Sequence, residues 1–586
     1  MIKYLPFFLF FITTQLNAQN LPAGFTPEEQ EMMKWYDFHN FSEKGITTPP
    51  EMPVRTMAEW EEIQALCVTW TSFRPTLAQI ILHAKEEVEV IVICANAASA
   101  QNQLLNTYGL PNLDNVTFLE DDYDSVWMRD YGPNTVYFND VDSLATVEWI
   151  YNRPRPEDDL LPDAIGDLLE IPVYSTIEAP NDMVNTGGNF TSDGMGSGFA
   201  SALILEENEA GNPYNVSVKS EEQIDNIMEE WMGIDRYIKM ETLPYDAIHH
   251  IDMHMKLLDE ETILMGEYPE GEADGPQIEE NLNYVLDNFN SPFGTPYKVV
   301  RIQMPPHNGN YPDSWNSDYR TYTNSVFVNG TVLVPVYEEQ FDSTALKVYE
   351  DNMPGYNVVG IDCNNIIQYS GALHCITRAI GVADPLLIIH QELADQLDNF
   401  DDYEINATVK HRSGISEATL YWTTDLNTNY EAISMSLTDA ETDQWTAILP
   451  NQGMDAEKIF YYIEGVANSG KTQVRPLVAP AGYFEFETNF ITSTGDFSEL
   501  NGLTISDISP NPVSTIASLS MTLPLQTTIN IEIIDVLGRK VRNVFEGVQN
   551  AGEHQYFIDA KSLHSGLYFV RIELENEEYV KRLVVK

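Results

Sequence analysis

Between about residues 53 and 387, short apolar runs alternate with amphipathic stretches, and this alternation most narrows the folds open to the chain. ALCVTW, VEVIVICA, VTFLE, ETILMGE, YKVVRI, SVFVNGTVLVPVY and YNVVGID are short and rich in β-branched residues, the pattern of buried strands. LAQIILHAKEE and EEQIDNIMEEWM between them place apolar residues at helical spacing. The pattern predicts an α/β region over 53–387, without an obvious sequence repeat. From 388 to 487 the period shortens to two in YEINATVKH, ATLYWTTD, QWTAILP and KIFYYIEGVA, which predicts a small β-sandwich. A polar linker over 488–502 leads to a last alternating segment, 503–586, expected to form another compact antiparallel β unit. At 586 residues the chain is too long for one core, in keeping with several domains.

The first residues, MIKYLPFFLFFITTQLNAQ, combine a Lys, a short apolar run and a small-residue end, which predicts a signal peptide over 1–18 cleaved after Ala18. Its apolar core is too short for a stable membrane anchor, and no later segment is long enough either. A Pro- and Glu-containing leader, 19–52, follows. Ninety acidic against 31 basic residues give a formal charge of −59, which disfavours nucleic acid and anionic membranes and steers cations inward. Four cysteines, at 67, 94, 363 and 375, are too few for a disulfide scaffold. Cys67 and Cys94 lie in strand-like runs and are expected in the core; a Cys363–Cys375 bridge is open to an exported chain and would rule out Cys375 as a nucleophile.

Cys375 closes the run GALHC, after a Gly and a His that predict a turn. Upstream stand WMRDYGP (127–133), HHIDMH (249–254) and YTNS (322–325). These residue types suit attack on a guanidinium, a delocalised cation that needs carboxylates on its N–H edges and a strong nucleophile at its carbon. A thiolate supplies the nucleophile, and a His protonates departing ammonia and later deprotonates water. In WMRDYGP, Asp130 is a candidate guanidinium acceptor and Trp127 a wall that stacks on the cation, unless Arg129 and Asp130 are only a surface pair. Strand alternation in HHIDMH sets His250, Asp252 and His254 on one face, as acid/base plus second carboxylate or as a metal site. The glycine-rich GGNFTSDGMGSG (187–198) lacks the context of a dinucleotide or phosphate loop and is expected to shape the pocket, with Asn189 or Asp193 as polar contacts. In NRPRPEDD (152–159), Arg153 and Arg155 are spaced to clamp a carboxylate, or to sit in an ion-paired surface loop.

Taken in order, WxRDxGP, the GGN loop, HID and the terminal HC resemble the guanidine-modifying superfamily, the penteins, over about Glu51 to Asp384. Within it the set is similar to agmatine deiminases and bacterial peptidylarginine deiminases, and NRPRP, YTNS and ALHC bring it nearest to the secreted Porphyromonas type. The resemblance implies an α/β five-bladed propeller followed by an immunoglobulin-like sandwich. It implies Cys375 as nucleophile, His250 as general acid/base, Asp130 and Asp252 as guanidinium ligands, Asn324 as a site Asn, and Arg153 and Arg155 as holders of a C-terminal arginine's carboxylate. Ala247 stands where that type carries a substrate-touching Tyr. SDISPNPV, DVLGRKV, SGLYFVRI and KRLVVK resemble the type IX secretion sorting domain, implying export, a partner in the secretion machinery, and release or attachment at the cell surface. The expected activity is deimination of peptidyl arginine, preferentially C-terminal, to citrulline and ammonia, with no metal or organic cofactor. Agmatine deimination and a non-catalytic surface binding protein are the alternatives.

Overall fold

The computed structural model describes residues 24–39, 45–396, 401–452, 458–488, 503–506, 508–535, 538–561, 563–574 and 577–586. The signal segment and the linker from residue 489 onward lie outside them. The predicted strand runs all form, the longest of them, SVFVNGTVLVPVY, as two strands, Val326–Val328 and Thr331–Val336, joined through Asn329 at φ 47°.

Five small sheets make up the α/β region, and they share one plan that the sequence hides. In each, two antiparallel strands are followed by a helix and a third strand parallel to the second. Met255–Leu257 and Thr262–Glu267 pair antiparallel, helix Gly275–Asn288 crosses over, and Lys298–Gln303 returns parallel. The same order runs through Asn134–Phe138, Leu144–Trp149, Leu161–Leu169 and Val173–Thr176. It recurs in Thr191–Ser192, Ser197–Ser201, Glu221–Met232 and Arg236–Met240. A fourth unit comprises Val326–Val328, Thr331–Val336, Glu339–Asn352 and Asn357–Asp362. In the fifth, the first strand is Arg378–Gly381, from the far end of the region, laid antiparallel on Ile63–Thr69; Arg74–Ala84 and Glu89–Cys94 complete it. The two ends of the α/β region are therefore held in one sheet.

Local chemistry sets these boundaries. Helix Glu221–Met232 starts at a capping box between Ser220 and Gln223, and buries Ile224, Ile227, Met228, Trp231 and Met232 on one stripe. It stops at Gly233, where φ is +66° and any Cβ would meet the Val54 carbonyl oxygen at 1.8 Å, so only glycine fits.

Two further antiparallel sheets follow, one of Leu387–Ile389, Tyr403–Lys410, Gln444–Leu449 and Ser436–Asp439, the other built on Ile415–Thr423 and Lys458–Ala467. Tyr403, Ile405, Ala407 and Val409 alternate inward, as the period-two pattern predicts. Most of this segment shares a compact unit with the α/β region. Ion pairs join the two, Arg475 to Glu260 at 2.7 Å, Lys471 to Glu62 at 2.6 Å and Lys410 to Asp140 at 2.8 Å. The second compact unit contains residues 486–586. There, Thr504–Ile505, Ile516–Leu523 and Gly552–Asp559 form one antiparallel sheet, and Lys540–Gln549, Thr527–Asp535, Gly566–Leu574 and Glu577–Val585 another. Leu519, Ile529, Ile531, Ile533, Ile558, Val570 and Ile572 form its core.

Candidate active site

The chemistry-bearing segments occupy equivalent places in the five units: each lies just before the unit's first strand. Helix Met128–Tyr131 precedes Asn134–Phe138, and the 3-10 turn Gly187–Asn189 precedes Thr191–Ser192. The turn Ile251–Met253 precedes Met255–Leu257, Asn324 precedes Val326–Val328, and the turn His374–Ile376 precedes Arg378–Gly381. Repetition of one unit thus gathers residues more than two hundred positions apart. Thr323 Oγ1 donates to the Asp252 carbonyl at 3.2 Å, and the Arg129 Nε donates to the His374 carbonyl at 3.3 Å.

Gly188 marks the middle of the cluster. A Cβ placed on it would lie 2.5 Å from His250 Nδ1, 3.0 Å from Asp130 Oδ1 and 3.3 Å from Asp252 Oδ2. Three polar side chains therefore converge on a point that only a glycine leaves open. Cys375 Sγ lies 3.6 Å from Asp252 Oδ2 and accepts a hydrogen bond from Asn324 Nδ2 at 3.2 Å. Asn324 Oδ1 in turn accepts the backbone N–H of His374 at 2.9 Å, so one amide fixes both the turn and its thiol. Trp127 is fully buried and packs on Gly371 beside Cys375. His250 Nε2 is 3.0 Å from Thr186 Oγ1, and its Nδ1 stands 3.6 Å from Asp130 Oδ1.

All four of Cys375, His250, Asp130 and Asp252 are buried, and for the first three burial is the largest influence on protonation. Burial, then the neighbouring Asp252 charge, pushes Asp130 up to about 7, against Arg153 and Arg155. Burial pushes His250 down to about 3. Burial, followed by the charges of Asp252 and Asp130, lifts the Cys375 thiol well above its ordinary range, with the Ala372 amide and Asn324 opposing. Asp130 Oδ1, His250 Nδ1 and Asp252 Oδ1 are buried without a hydrogen-bond partner among the described residues. An unoccupied set of acceptors beside a thiol is the arrangement a planar cation would satisfy.

Several sequence expectations need correcting. HHIDMH is not a strand: His249 sits at φ 58° and Ile251–Met253 is a 3-10 turn, so alternation does not set the side-chain directions. Among the described residues, no group of three His, Cys, Asp or Glu side chains is placed to hold a metal ion. His254 stands apart, both ring nitrogens buried and unbonded. Arg129 and Asp130 are not a surface pair. Both are buried, and Arg129 turns toward Glu59 at 3.4 Å while Asp130 faces His250. The amide of Asn189 is spent at both ends on the Ser201 backbone, at 2.9 and 3.4 Å, and Asp193 Oδ1 accepts from the Met195 and Ser197 amides. Both residues brace the glycine loop through these bonds. All four cysteines are free and buried.

Glu59 stands outside every motif picked out above. His374 Nδ1 meets Asp252 Oδ2 at 2.8 Å and its Nε2 meets Glu59 Oε1 at 2.5 Å, while Lys256 Nζ donates to Glu59 Oε2 at 2.5 Å. Burial raises Glu59, but His374, Lys256 and Arg129 outweigh it and hold the carboxyl well below its usual range. Arg153 and Arg155 are buried, not in an exposed loop, and residues of the leader cover them.

Residues 55–380 match the family model for Porphyromonas-type peptidyl-arginine deiminase, more than half of the chain. The chain belongs to this family. It is accordingly a guanidino-modifying deiminase, a hydrolase acting on C–N bonds of amidines, and the non-catalytic alternative is set aside. A Vibrio parahaemolyticus protein designated agmatine deiminase is 23% identical over 375 residues, covering 58% of this chain and 99% of its own length. The solved agmatine deiminase of Enterococcus faecalis is 19% identical with a TM-score of 0.49, covering 58% of this chain and 99% of that one. That of C. jejuni is 19% identical with a TM-score of 0.46, covering 56% and 96%. Residues 507–586 match the secretion system C-terminal sorting domain, so this family member is a secreted or cell-surface protein handled by the type IX machinery. No helix among the described residues is long and apolar enough to cross a membrane.

Proposed function

We propose that this deiminase acts on peptidyl arginine, preferentially at a carboxy terminus, and converts it to peptidyl citrulline with release of ammonia. The observation that carries the reading is the convergence of His250, Asp130 and Asp252 on the space above Gly188, with Cys375 Sγ 3.6 Å from Asp252. A guanidinium in that space takes Asp130 and Asp252 on its N–H edges, with Trp127 behind the nucleophile's turn. At rest the thiol is protonated, His250 is neutral and Asp130 titrates near 7. An arriving cation reverses the balance: it ionises Asp130 and lowers the cost of a thiolate.

The thiol proton passes to His250 as sulfur attacks the guanidinium carbon. A C–N bond then breaks, and ammonia leaves with the proton from His250. Water, deprotonated by the now neutral His250, adds to the S-alkylthiouronium carbon; the C–S bond breaks, and the thiol and a ureido product are regenerated. Asn324 steadies the sulfur through its 3.2 Å hydrogen bond, and the scheme calls for no metal or organic cofactor.

Arg153 and Arg155 favour a peptide carboxylate over agmatine. Both guanidiniums are near enough to bear on Asp130 electrostatically, and a substrate whose far end reached them would meet a cationic field that repels an ammonium and attracts a carboxylate. The five units are read as the blades of a closed propeller, with residues 388–487 as an immunoglobulin-like sandwich. Mass analysis of a peptide ending in Arg, one with Arg internal, and agmatine tests the substrate. Ureido product from the first, dependent on Cys375, supports it; conversion of agmatine alone overturns it in favour of the small amine.

A further inference from the structure

Residues 24–39 of the leader are seated on the two arginines that the proposed function assigns to the substrate carboxylate. Glu29 takes Arg155 as a fork, Nε to Oε1 at 2.7 Å and Nη2 to Oε2 at 3.4 Å. Arg155 Nη2 also donates to the Gly24 carbonyl at 3.4 Å, and Nη1 to Tyr151 Oη at 3.1 Å. The Arg153 guanidinium lies 4.2 Å from the centroid of the Phe25 ring. Only 5% of Arg153 and 1% of Arg155 remain exposed, which leaves no room for a second carboxylate.

The contact is built and not casual. Glu29 sits in helix Pro27–Met32 and closes a capping box, its Oε2 accepting the Thr26 N–H at 2.8 Å while Thr26 Oγ1 accepts the Glu29 N–H at 3.1 Å. The carboxylate is thereby aimed before it meets the arginine. Further along, Tyr36 and Phe38 fill an apolar cluster with Ile150, Val184, Tyr214 and Val216, which anchors the segment independently of the ion pair.

We propose that the leader is a built-in competitor for the carboxylate subsite: the Glu29 side chain stands where a substrate's terminal carboxylate binds, so the protein that carries its leader is held back from substrates ending in a free carboxylate. This inference rests on the carboxylate-clamp part of the proposed function. It needs no new chemistry, only that one carboxylate replaces another on the same fork.

The test is peptide binding to full-length Cys375→Ala protein, with and without Glu29→Gln. Gln preserves the capping box but removes the negative charge that faces Arg155. The probes are a fluorescent peptide ending in Arg and its C-terminal amide. Glu29→Gln is expected to tighten the acid peptide by about tenfold, the scale of a charge-assisted hydrogen bond, and to leave the amide within about twofold. Hydrogen exchange of residues 27–36 should rise on adding the acid peptide and not the amide. An unchanged or weakened acid peptide, equal effects on both probes, or unchanged exchange overturns the proposal. If Glu29→Gln protein with Cys375 intact forms no ureido product while the binding contrast holds, the deiminase substrate assignment fails and the leader assignment stands.

Discussion

The two carboxylates of the site share a buried, unbonded Oδ1 and differ in what holds the rest of the group. Asp252 is tied down: its Oδ2 meets His374 at 2.8 Å, and His374 is held by Glu59, itself held by Lys256 and Arg129. Asp130 has no such side-chain tether: its Oδ1, like that of Asp252, is buried and unbonded, and His250 Nδ1 stands off at 3.6 Å. The difference teaches that half of the pocket is assembled before substrate arrives, while the other half is destabilised in waiting and is satisfied only by the cation.

Removing each charge should separate the halves. Asp130→Asn and Asp252→Asn are each expected to lower kcat/KM by about 10³-fold, since each removes a fixed charge from the reacting group. Their stabilities should diverge: at pH 8 Asp130→Asn raises Tm and Asp252→Asn lowers it, as thermal unfolding would report. Equal shifts would erase the distinction. Gly188→Ala comes next, with about 10²-fold lost activity and an intact fold, because the added methyl occupies the point where the three side chains converge. His374→Asn, which loosens Asp252 without touching the reacting carbon, should lower kcat/KM by about tenfold.

The smallest effect is in pH dependence. Asp130 has a folded pKa raised from 3.8 to about 7, so between these values the folded state binds the extra proton. This group's contribution to stability is then greatest below pH 4 and declines as pH rises to 7, a decline that Asp130→Asn abolishes. Guanidinium binding has the opposite sense. It needs the ionised carboxyl, so kcat/KM should fall as pH drops below about 7 in the wild type. A flat profile from pH 8 to 5 would contradict the open half of the site.

Much of the site was legible because its chemistry is carried by short runs, WMRDYGP, HHIDMH, YTNS and GALHC. The repeating unit was not, since its strands are as short as Thr191–Ser192 and its links differ in length, leaving no common period to read. Glu59 stands in a stretch that carries no motif, and only folding sets it against His374, 315 positions later. The loop-bracing bonds of Asn189 were not legible, because an amide in a glycine loop is as able to pin a neighbouring backbone as to face a ligand. The leader was read from its composition alone, although Thr26 and Glu29 spell a capping box; its partner Arg155 lies 126 positions away.

The central claim is that Cys375 attacks the guanidinium carbon held between these two carboxylates. Acid quench of the enzyme during turnover of a peptide ending in Arg, followed by mass mapping of the Cys375 peptide, tests it most directly. The account predicts a transient adduct of the substrate minus ammonia on Cys375, absent from Cys375→Ala, which forms no ureido product. Turnover that persists in Cys375→Ala, with no adduct in the wild type, would contradict it.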